Sequence, residues 1–108
     1  MDREFFKKFH QELCSEAFEL MCRKNQDYGG STDAFANFRM SALLGLRPEQ
    51  GVLLRMQDKM ARLVSFLRNG DLAVKEEGWR DACVDIVNYS IILCGLLTQE
   101  SATQRLGE

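Results

Sequence analysis

Glu77, Asp81 and Asp85 are spaced four residues apart, and Asn88 follows three residues later. On a helix, these four oxygen-bearing side chains fall within about 40° of one line. Carboxylates one turn apart repel each other when ionised, and burial adds a desolvation cost, so a cation belongs among them. Mg²⁺ is one candidate: a hard cation takes oxygen ligands and keeps waters that a substrate phosphate can replace. Arg55, Lys59 and Arg62 of the preceding helix are the other candidates, and they would turn the stripe into an ion-pair network that fixes the register of two helices. A solvated acidic face is the third reading, and periodicity alone leaves all three open.

The preceding helix is two-faced as well. At about 100° per residue, Leu53, Met56, Met60, Leu63, Val64 and Leu67 share one broad side, while Arg55, Asp58, Lys59 and Arg62 share the opposite one. Asp58 and Arg62 form an ordinary i,i+4 pair if that side is merely solvated. A second region of interest is Lys24-Asn25-Gln26-Asp27-Tyr28-Gly29-Gly30-Ser31. Its two glycines, aromatic ring and short polar side chains suit either a plain helix-to-helix turn or a loop touching a base or sugar. Asn37, Phe38 and Arg39 follow closely enough to line the same mouth. A phosphate-binding P-loop is excluded by pattern. His10, the single histidine, has no partner pattern and reads as an ordinary helix residue.

Four helices are needed to carry these groups, and strand signals are weak throughout. The first is expected from Asp2 to Asn25, with Phe6, Phe9, Leu13, Ala17, Leu20 and Met21 inward. A short second helix, capped by Ser31 or Asp33, should run through Phe35, Phe38, Met40 and Leu43 to Gly45. Pro48 opens the third, which stops at Asn69-Gly70. Asp71 can cap a fourth from Leu72 to Leu97, with Trp79, Cys83, Ile86, Val87, Cys94 and Leu97 inward, opposite the acidic stripe. Residues 98–108 read as a polar, fraying tail after a single domain over 1–97. The fold class is therefore all-α, a compact four-helix bundle.

The 108 residues are 45% hydrophobic and 28% charged, with a formal net charge of −2, a globular composition without general attraction for nucleic acid. The Arg55-Lys59-Arg62 face is the sole argument for nucleic acid, and Asp58 among its cations weighs against it. No run reaches the roughly 18 uninterrupted apolar residues of a membrane span. Cys14, Cys22, Cys83 and Cys94 lack metal or redox spacing and are expected to be buried free thiols. A cytoplasmic protein follows.

KNQDYGGSTDAFANFR, LLRMQDKMARL and VKEEGWRDACVDIVNY together resemble the nucleotide-modification-associated domain 1 family of phage and bacterial genomes. That group is similar to the MazG-like all-α nucleoside triphosphate pyrophosphohydrolases. The likeness spans Lys24 to Tyr89. It implies a four-helix MazG-like bundle completed by oligomerisation as a homodimer or homotetramer. It also implies a hydrolase that splits a (deoxy)nucleoside triphosphate into monophosphate and pyrophosphate. In that scheme Asp58, Glu77, Asp81 and Asp85 hold Mg²⁺, and Glu77 is the general base for a metal-activated water. Arg55, Lys59 and Arg62 face the phosphates, and Asp27, Tyr28 and Asn88 lie near the nucleoside. The related enzymes carry E-x-x-E and then E-x-x-D, whereas here the stretches read Arg55-x-x-Asp58 and Glu77-x-x-x-Asp81-x-x-x-Asp85. The missing carboxylate favours an alternative: a nucleotide-binding or sequestering protein without turnover.

Overall fold

Local signals place the helix boundaries close to where the sequence puts them. A computed structural model describes residues 1–27, 32–70 and 76–107, with the side chains of 25–27, 76, 77, 106 and 107 outside that description. Helix α1 is Arg3–Asp27, and Asp2 caps it by accepting the Phe5 amide at 2.8 Å. Helix α2, Ala36–Arg39, passes directly into a 3-10 turn, Met40–Leu44. Gly45 closes that turn in the left-handed region at φ 73°, a conformation with little cost for glycine. Helix α3 is Pro48–Asn69. Pro48 opens it, and Gln50 Oε1 accepts the Arg47 amide at 2.8 Å. Helix α4 is Glu76–Gly107. All the regular structure among the described residues is helical.

Asp33 holds the entry to α2. Its carboxylate accepts from the Phe35 amide at 3.0 Å and pairs with the Arg39 guanidinium. The Arg39 hydrogen bond, with the Phe35 amide second, holds the carboxyl below its ordinary value of 3.8. A lowered carboxyl pKa adds stability that is fully present above the ordinary value and is lost as pH falls from there through the lowered folded-state value. Asp33→Asn should therefore flatten the acid limb. The urea midpoint is expected to fall less between about pH 6 and about pH 3 than in the wild type.

Two features depart from expectation. The tail is not frayed: α4 continues through Thr98 to Gly107. No proline or internal glycine stops it there. Thr98 and Thr103 return their hydroxyls to carbonyls four residues back, and Glu100 pairs with Arg47 at 2.6 Å. The second departure is that Asp85 and Asn88 turn toward neighbouring helices, although Asp81 of the same line is exposed and Trp79, Cys83, Ile86 and Val87 are half-buried as expected. Ala82, Val84 and Leu96 are buried on the side that carries Asp85 and Asn88, whereas Cys94 and Leu97, expected inward, are exposed. From Ile86 to Leu97 the helix is apolar nearly all round, so periodicity carries no direction there. That apolar character lets an 18-residue window within Gly78–Arg105 reach a mean hydropathy of 1.5, enough to cross a membrane by length and composition, a test that core helices also pass.

Helix α4 is the central element, packed against α3 on one side and α1 on the other. The core proper is small: Phe38, Val52 and Leu96, with Phe35, Met56, Tyr89, Ile92 and Leu93 packed around them. On α1, Ala17 is buried and Phe9, Leu13, Leu20 and Met21 are half-buried as expected, but Phe6 is exposed and stacks on Phe9. The cysteines are free, yet Cys14 and Cys94 are exposed and Cys22 and Cys83 half-buried, so none is a core thiol.

Candidate functional site

Asp85 is the point where three helices meet. Its side chain is only 12% exposed. The Lys59 ammonium of α3 donates to Oδ2 at 2.9 Å, and the Lys24 ammonium of α1 donates to Oδ1 at 3.5 Å. One turn later Asn88 donates to the Ala17 carbonyl of α1 at 3.0 Å. On the same side of the bundle Arg80 pairs with Glu16 at 2.6 Å. The cation that the stripe calls for is thus protein-borne at Asp85, as in the ion-pair reading, with Lys59 from the expected helix and Lys24 added from α1.

Asp81 is exposed, as are Asp58 and Arg62 on α3. The Glu77 and Asp27 side chains and all of Tyr28 lie outside the described residues. Among the described residues, no three His, Cys, Asp or Glu side chains gather as a metal site.

Beside Asp85 opens a cavity of about 260 Å³, walled by residues of all four helices. Met21 and Lys24 enter from α1, Phe35, Asn37 and Phe38 from α2 and its entry, Arg55 from α3, and Asp85, Asn88, Tyr89, Ile92 and Gly95 from α4. At about 30 Å³ per water, this is room for roughly nine waters, enough for one planar heterocycle and part of a sugar. Tyr89 meets Phe38 edge-on at 6.3 Å, and the Arg55 guanidinium lies 4.8 Å above the Phe38 ring. Aromatic edges and faces of this kind accept a further ring at favourable electrostatic cost.

Gly95 sets how closely α2 approaches α4. A Cβ there would stand 2.9 Å from Phe35 Cζ, closer than packed carbons come. Inside a helix, Gly→Ala ordinarily adds about 0.5–1 kcal/mol. Gly95→Ala is expected to show no such gain, because Phe35 must move. In a Phe35→Leu background the same substitution should raise the urea midpoint. A gain in both backgrounds would contradict the contact.

The charge balance limits the chemistry. Lys24 and Arg55 stand against Asp85 on the cavity wall, an excess of one positive charge among the described ionisable groups that line it, and Lys59 reaches the same carboxylate without lining the cavity. Such a site attracts an anion more than a divalent metal. The sequence reading placed Arg55, Asp85 and Asn88 here, and named Asn37 and Phe38 as candidates, while Arg39 turns away to Asp33. Phe35, Tyr89, Gly95 and the role of Lys24 were missed. A signal for part of this was present, since continuing the stripe by helical steps from Asp85 and Asn88 reaches Ile92 and Gly95.

No family model, curated protein or solved structure matches the chain.

Proposed function

We propose that this protein binds a nucleotide through its own cations, with the base in the aromatic cavity and the phosphates drawn to Lys24, Arg55 and Lys59. The observation that carries this reading is a ring-sized aromatic cavity lined by two cations, Lys24 and Arg55, and one carboxylate, Asp85, to which Lys59 is also paired. Rings stack or meet edge-on with Phe35, Phe38 and Tyr89. The phosphates compete with Asp85 for Lys24, the looser of its two partners at 3.5 Å. Asn37 and Asn88 supply amides on the wall for base or sugar edges.

Mg²⁺-dependent pyrophosphohydrolysis is the second reading, favoured by the line Glu77-Asp81-Asp85. The described donors do not suit the metal as they stand, because both Asp85 oxygens face ammonium groups and Asp58 and Asp81 are exposed.

Calorimetric titration with each common NTP and dNTP, in EDTA and again in Mg²⁺ with product analysis, separates the two. Saturable binding in EDTA without pyrophosphate release is the expected result. The absence of binding to every nucleotide in both conditions would refute both readings, and turnover confined to Mg²⁺ would establish the hydrolase.

A further inference from the structure

The two long helices beside the cavity run antiparallel. Arg47 at the head of α3 meets Glu100, Lys59 meets Asp85, and Phe66 lies beside Trp79. Along α4 the cavity therefore has two unlike ends. At Gly95 it is bounded by the Phe35 ring. At Asp85, about 15 Å along the helix, it reaches the lysines. A base seated among Phe35, Phe38 and Tyr89 points its phosphate at the Asp85 end.

The cations within reach can be counted. Arg55 lies over the Phe38 ring at 4.8 Å and has no carboxylate partner among the described residues. Its planar fork is open to two parallel hydrogen bonds from one phosphate group. Lys24 stands 3.5 Å from Asp85, whereas Lys59 holds the same carboxylate at 2.9 Å. Lys24 can turn to a ligand while Asp85 keeps a cation. Two positive charges are then offered to the ligand, and a phosphate monoester carries about two negative ones near neutral pH.

A longer phosphate chain runs out of cations. The next turn of α4, about 6 Å beyond Asp85, carries Asp81, and α3 carries Asp58 beside Lys59; both carboxylates are exposed. The antiparallel arrangement puts them at the same end of the cavity. Arg62, one turn from Asp58, offsets one of the two at most. We infer that without metal this cavity takes a nucleoside monophosphate, and that Asp58 and Asp81 select by charge against the diphosphate and triphosphate. Repulsion aimed at the competitor is a general route to specificity. This inference rests on the nucleotide reading above and names the ligand class within it.

Calorimetry in EDTA with the monophosphate, diphosphate and triphosphate of each common nucleoside and deoxynucleoside tests it. For the base that binds best, the monophosphate should bind about tenfold more tightly than the triphosphate, with the diphosphate between them. Asp58→Asn combined with Asp81→Asn should narrow that gap to less than about threefold. Arg55→Lys, which keeps the charge and loses the fork, should weaken the monophosphate by about tenfold. Three results would each overturn the inference and leave nucleotide binding standing: a triphosphate that binds as tightly as the monophosphate, a gap untouched by the double substitution, or an Arg55→Lys protein of unchanged affinity. Failure of every nucleotide to bind would overturn the nucleotide reading, and this inference with it.

Discussion

Asp85→Asn is expected to lower stability by about 1–3 kcal/mol and, in the same protein, to tighten metal-free nucleotide binding by about tenfold. The stability loss follows from geometry. Asparagine keeps an acceptor for only one of the two lysines, turns an amide donor toward the other, and removes the charge that holds two ammonium groups in a largely desolvated junction. Breaking a fully buried pair costs about 3–5 kcal/mol, and the 45% exposure of the Lys24 side chain reduces that figure here. The affinity gain follows from the same subtraction. Asp85 competes with phosphate for these lysines, and a unit charge several ångströms from a phosphate is worth about 1–3 kcal/mol at an effective dielectric near 20. Urea unfolding and calorimetry in EDTA read the two effects separately. Unchanged stability would remove the junction from the account. Weakened binding would make Asp85 a ligand contact rather than a competitor.

Phe38→Ala has the larger expected cost, about 3–5 kcal/mol, against a total of about 5–15 kcal/mol for a domain of this kind. Phe38 is one of three residues at the centre of the α2–α3–α4 cluster. Its ring also carries the Arg55 guanidinium and the Tyr89 edge. Truncation therefore leaves a cavity and frees Arg55 at the ligand site. The urea midpoint should fall steeply, with the variant partly unfolded at 37 °C if the wild type lies at the low end of that range. Leu43→Ala, at a position 78% exposed, should change stability by less than about 0.5 kcal/mol. Equal effects at the two positions would contradict the core as described.

These two residues also mark how far the sequence could be read. The helices were legible because their ends carry unambiguous chemistry: Pro48 at the start of α3, and Gly45 and Gly70 at positive φ where chains turn. The inward face of α1 was legible from its periodicity, Phe6 excepted. The inward face of α4 was legible only in its first half, where Trp79, Cys83, Ile86 and Val87 are half-buried as expected. Apolar residues surround it after Asp85, and the few polar groups that break the pattern point inward, to partners on other helices. Lys59 was among the candidate partners because a neighbouring helix with a basic side is an obvious neighbour for an acidic one. Lys24 lies 61 residues from Asp85, and its approach is set by how α1 crosses α4, which no local pattern encodes. The persistence of α4 beyond Leu97 was hidden for a similar reason, since the Arg47–Glu100 pair joins residues 53 apart. The broad apolar side of α3 is only partly covered: Met56 packs on the core, whereas Leu53, Met60, Val64 and Leu67 are surface.

The most direct test of the central claim is to follow backbone and side-chain NMR resonances while nucleotide is added in EDTA. The account predicts perturbations concentrated at Phe35, Phe38, Tyr89 and Gly95, and at the ammonium groups of Lys24 and Lys59, without any metal. Silence in EDTA, followed on addition of Mg²⁺ by changes centred on Asp58, Glu77 and Asp81, would contradict it.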